Sequence, residues 1–90
     1  VSQHIHVTPS GETKFVFGWD QPLMSFYLQV HDMTRPEDDE EKPRIIFWAG
    51  ATADTQMYEV ETLVRIAGRY GLVIGHEMQV SLYGEKDDGA

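Results

Sequence analysis

The hydrophobic positions change period along the chain, from steps of two in the first half to steps of three and four in the second. Residues 3–8, QHIHVT, alternate, with Ile5 and Val7 on one side and His4, His6 and Thr8 on the other. Residues 13–19 alternate again: Phe15, Phe17 and Trp19 share a face, with Val16 behind them. Between the two, Pro9-Ser10-Gly11-Glu12 has turn chemistry, because proline presets φ and glycine accepts a positive φ. Gly18 stands inside the second strand, where glycine marks a bulge or a close approach by another group. Pro22 cannot donate to a ladder, so Asp20-Gln21-Pro22-Leu23 closes a second turn. A third strand follows over 25–32, with Phe26, Leu28 and Val30 opposed to Tyr27, Gln29 and His31.

Residues 33–43, MTRPEDDEEKP, hold two prolines around an acidic run and read as a mobile loop. Arg44 to Ala49 is apolar on both alternating sets, the pattern of a strand covered on both faces. From Ala53 to Tyr70 the step becomes three and four: Met57, Val60, Leu63, Val64 and Ala67 form one helical stripe. Thr52 or Asp54 suits its N-cap and Gly71 its C′ stop. Leu72 to Gly75 fits either an apolar connector or the beginning of a strand. Met78, Val80 and Leu82 then alternate with Gln79, Ser81 and Tyr83, which predicts a last strand.

The sum is an α+β domain, β-β-β-β-α-β: a mostly antiparallel five-stranded sheet with one helix packed across one face. The fifth strand fits beside the fourth or, antiparallel, beside the first. A single domain covers 1–84, and 85–90 is expected to be a disordered acidic tail.

Composition narrows the function classes. At 90 residues, with 41% hydrophobic and 11% aromatic content, the chain has enough apolar surface for one small core. It has no cysteine, which excludes disulfides, thiolate metal sites and a cysteine nucleophile. No apolar run approaches the ~20 residues of a membrane span, and no basic-then-apolar start suggests a signal peptide, so a cytoplasmic location is expected. The net charge is −8. It is concentrated: residues 36–43 hold five acids against Lys42, and the tail from Glu85 holds three against Lys86. The remainder is almost neutral, which argues against direct nucleic-acid binding, since phosphate contacts need clustered Lys and Arg.

Three constellations carry candidate chemistry. His4 and His6, two apart on a strand, project from one face and, with a third ring such as His31, would offer zinc imidazole nitrogens. His76-Glu77 begins an HExxH motif, but Val80 stands where the second histidine belongs. No serine lies in a G-x-S-x-G elbow, no phosphate-binding glycine pattern occurs, and the acidic run lacks the glycine and spacing of a calcium loop. The aromatic residues point elsewhere. One helix covers one sheet face, and the second face must still place some of Val16, Tyr27, Ile46 or Trp48, or else the opposite set led by Phe15, Phe17 and Trp19. The leading expectation is therefore a non-enzymatic protein-interaction domain without a cofactor. It would self-associate as a homodimer through that face, with Trp19, Tyr27 and Trp48 as binding residues. The alternatives are a metal or small-ligand binder using His4 and His6, and an acidic inhibitor that mimics nucleic acid.

Overall fold

The computed structural model describes residues 2–50 and 52–89. Four strands, β1 (His4–Val7), β2 (Thr13–Asp20), β3 (Ser25–Asp32) and β4 (Ile45–Ala49), form one sheet in the order β1-β2-β3-β4. Every neighbouring pair is antiparallel. The turns close where proline and glycine place them: Gly11 N–H donates to Thr8 C=O at 2.8 Å, and Met24 N–H to Gln21 C=O at 3.0 Å. The long loop between β3 and β4 is tied at its base. Asp32 N–H donates to Arg44 C=O at 2.6 Å, and Arg44 Nε donates to Arg35 C=O at 2.8 Å.

The register assigns the faces. His4, Phe17, Leu28 and Ala49 form one cross-strand row, and His6, Phe15, Val30 and Phe47 the next, all on one side of the sheet. That side is the core. Phe15, Phe17, Trp19, Phe26, Leu28 and Val30 pack there against Val60, Leu63, Ala67 and Leu82. The Trp19 indole stands edge-on to Phe26, with centroids 4.9 Å apart, a favoured aromatic geometry.

The second half departs from the sequence expectation in three places. The helical stripe is broken: Ala53–Thr55 is a single 3₁₀ turn, and α1 runs only from Val60 to Arg69. Met57 instead bridges Phe26, whose N–H donates to Met57 C=O at 2.8 Å. The Ser25 hydroxyl accepts Met57 N–H at 2.9 Å, so these backbone groups are consumed before a helix begins. Neither Thr52 nor Asp54 caps α1. At its other end Gly71, at φ 96°, does end the helix: Leu72 N–H returns to Ala67 C=O and Gly71 N–H to Gly68 C=O.

The predicted fifth strand is a helix, α2, over His76–Asp88. Met78 and Leu82 lie four residues apart, a spacing that keeps one face in a strand and in a helix alike. Val80 separates the two readings, and it is 56% exposed while Leu82 is fully buried. Helix formation also takes in Glu85 to Asp88, where fraying was expected. Leu72 and Ile74 are buried around exposed Val73, making 72–75 an extended connector. Both helices pack on the core face, α1 against β3 and α2 against β2. With no fifth strand, β4 is an edge strand and not the doubly covered interior strand its apolar run suggested. Its Ile45, Ile46 and Trp48 are exposed. Among the described residues the fold is therefore α+β, with four strands and two α-helices.

Candidate functional site

The face turned away from the helices carries Ile5, Val7, Ile45 and Trp48 as exposed apolar side chains at regular positions, while others, among them Val73 and Val80, lie on the connector and α2. Ile5, Val16, Gln29 and Trp48 form one row across all four strands. Val7, Lys14, His31 and Ile45 form the neighbouring row, with a bulge between Val30 and His31. Toward the other end stand Gly18 beside Tyr27, then Asp20. Ile5 is 57% exposed and Trp48 53%, whereas Val16, in the middle of the row, is only 7% exposed. Among the described residues no helix packs here.

A depression of about 270 Å³ opens on this face between Gln3, Val16, Leu23, Tyr27, Gln29 and Trp48. The Tyr27 hydroxyl donates to Ser2 C=O at 2.6 Å and so fastens the N-terminal segment. Burial raises its pKa above the ordinary phenol value, and the negative charges of Asp20 and Glu85 add to that. Gly18 makes the approach possible: a Cβ there would stand 2.4 Å from Ser2 C=O oxygen. This is the close approach that a glycine inside a strand announces. At the opposite end, burial lowers the His31 pKa, helped by the positive charges of Lys14 and Arg44. Its Nε2 lies 3.0 Å from Gln29 Oε1, so the imidazole donates to the amide oxygen.

The three aromatic candidates divide between the faces. Tyr27 and Trp48 share the open face on adjacent strands. Trp19 does not join them: it is 1% exposed on the core side, its Nε1 donates to Gln21 Oε1 at 2.8 Å, and the Lys86 ammonium lies 5.9 Å from its ring centroid. A side chain so enclosed plugs the end of the core and offers no binding surface. Position parity separates the two tryptophans, since Trp19 pairs with Phe26 and Trp48 with Gln29.

The histidines divide as well. His4 and His6 lie on the core side, across from Phe17 and Phe15, while His31 lies on the open face, so the sheet separates it from the other two. His4 Nε2 donates to Glu85 Oε2 at 2.6 Å, and Ser2 Oγ donates to Glu85 Oε1 at 2.5 Å. The His6 ring sits 6.2 Å from that of Phe15. Among the described residues, no three His, Cys, Asp or Glu side chains gather as a metal would require. A second groove, about 380 Å³, lies between His4, His6, Phe17 and the Leu72–Met78 segment.

Ile5, Val7, Ile45, Lys14 and Asp20 belong to the open face without having been singled out as binding residues. The alternation of residues 3–8 separates Ile5 and Val7 from the histidines, but only pairing with β2 decides which set meets the helices. Chemically, the open face offers an apolar band with a cationic group at one end and a carboxylate at the other, suited to burial against another surface. Comparison of the chain with protein-family models, with curated proteins and with solved structures finds no match.

Proposed function

We propose that this chain is a non-enzymatic protein-interaction domain that self-associates through the open face of its sheet. The observation that supports the reading is the Ile5–Val16–Gln29–Trp48 row, which spans the sheet on the side away from the helices and leaves Ile5 and Trp48 about half exposed at its two ends. Apolar side chains left exposed on a sheet face that no described helix covers fit an interaction surface. Four strands at ~4.8 Å spacing and about six residues of mean length give each copy a face of roughly 400 Å², below the ~800 Å² per partner of a standard stable interface. The association expected is reversible and concentration-dependent. Tyr27 and Trp48 are its central contacts, aromatic anchors beside the depression.

Light scattering over a concentration series tests the reading. The wild-type chain should pass from monomer to dimer mass, and Trp48→Glu should hold the chain as a folded monomer. Trp48 is half exposed and outside the core, so its replacement should leave unfolding by urea within about 0.5 kcal/mol of wild type when both are monomeric. A wild-type chain that stays monomeric up to millimolar concentration removes the proposal.

A further inference from the structure

The self-association reading leaves open how the two copies are oriented, and the charges on the open face select one arrangement. Lys14 and Asp20 lie on the same strand and the same face, six positions apart, or ~20 Å along β2. Between them the face is uncharged: Val16, Gly18, Tyr27, Gln29 and Trp48. Among the described residues, ion pairs join His4 to Glu85 and Arg35 to Asp32, and neither includes Lys14 or Asp20. The Asp20 carboxylate accepts, among the described residues, one long bond, 3.4 Å, from Leu23 N–H. Among the described residues, the face thus carries a cation at one end and an anion at the other, neither in an ion pair.

The acidic loop adds a second constraint. It connects the end of β3 to the beginning of β4, so it leaves the sheet at the Lys14 end, with five acids against Lys42. Two sheets can stack face to face about a two-fold axis in either of two ways. An axis along the strands sets Lys14 over Lys14, Asp20 over Asp20 and one acidic loop against the other. An axis across the strands reverses one sheet. It sets each Lys14 over an Asp20 and sends the loops to opposite ends of the pair. At positions 14 and 20, like charges face each other in the first case and opposite charges in the second, and only the second keeps the two acidic loops apart.

We propose that two copies of this chain pack open face to open face with their strands antiparallel, Lys14 of each copy standing over Asp20 of the other, and the apolar row Ile5–Val16–Gln29–Trp48 closed between them. The pairing is isologous, so each contact occurs twice and a single charge reversal acts on the dimer twice.

Sedimentation equilibrium on four full-length chains at low ionic strength tests the arrangement: wild type, Lys14→Glu, Asp20→Lys and the double variant. Each single reversal should raise the dimer dissociation constant about tenfold or more, and added salt should shrink the difference. The double variant restores both pairs in reversed sense and should dimerise within roughly threefold of wild type. A folding defect cannot imitate that rescue. Single reversals that leave dimerisation unchanged, while Trp48→Glu abolishes it, would overturn the antiparallel arrangement and leave self-association standing. Failure of the wild-type chain to dimerise at all would overturn both.

Discussion

Leu82 and Val80 make the sharpest test of the second half of the fold, because a strand and a helix assign them opposite relations. In a strand they are two apart and share a face, so truncating either removes a similar contact. In α2 they lie ~200° apart around the axis, Leu82 fully buried and Val80 56% exposed. Leu82→Ala deletes a branched side chain from a core that also holds Leu63, Ala67 and Trp19. Such truncations cost about 2–5 kcal/mol, transfer and cavity terms together. A domain of this size has on the order of 5–10 kcal/mol of stability in total. A loss of about 3 kcal/mol would therefore lower the thermal midpoint by roughly 12–24 °C. Val80→Ala removes little buried surface and replaces a β-branched residue with the best helix former, so it should change stability by about 0.5 kcal/mol or less, in the favourable direction. Urea denaturation of the two variants, at a concentration where the chain is monomeric, measures both. Equal losses, or a loss above about 1 kcal/mol for Val80→Ala, would refute the helix and return the segment to a strand.

Two further perturbations probe the open face without touching the core. Gly18→Ala places a methyl 2.4 Å from Ser2 C=O and 2.8 Å from Ser2 Oγ, so the N-terminal segment must move. A loss of about 1–3 kcal/mol in urea, with a fall of the Tyr27 phenol pKa toward its ordinary value, is expected, and an unchanged phenol titration would count against the contact. His31 should titrate below the ordinary 6.5, because burial and then Lys14 and Arg44 disfavour its charged form. The unfolded chain then takes up the proton first. The stability linked to His31 is complete above pH 6.5 and is lost as the pH falls through 6.5 toward the folded-state value. An NMR midpoint at or above 6.5, or an acid response unchanged in His31→Gln, would contradict this.

The strands were legible because their alternation is tied to large side chains. Phe15, Phe17 and Trp19 on β2, with Phe26, Leu28 and Val30 on β3, admit one register that buries all six, and the turns between strands carry their own chemistry. The last segment was not legible, for a physical reason. Met78 and Leu82 satisfy steps of two and of four together, and α2 has no side-chain cap at Gly75 to announce it. Its closing turn is held by partners remote in sequence: Glu85 binds Ser2 and His4, and the Tyr83 hydroxyl donates to Glu61 on α1. No local pattern encodes such contacts. The candidate site was half legible. Tyr27 could be placed opposite Phe26 from alternation alone, but β4 is apolar at every position, so the side taken by Trp48 follows only from its pairing with Gln29.

The division between the two faces also bears on how folding and assembly are coupled. The large aromatic and branched residues that must leave water for the chain to fold are on the helix side, and Trp19 closes that core at the end nearest the N-terminal segment. On the other side Val16 is the deeply shielded large apolar residue of β2, and it lies among side chains that include Tyr27 and Trp48. The open face is thus left after the core is complete, so the proposed assembly would be a step added to a folded monomer and not a condition for folding. The ends of the band hold charge and its centre does not. In the proposed pairing, strength would come from apolar area, and orientation from Lys14 and Asp20. The two contributions respond oppositely to salt: screening weakens orientation, while the apolar term persists. A dimer that tightens or holds steady with added salt, yet loses its sensitivity to reversal of Lys14, is the behaviour this division requires.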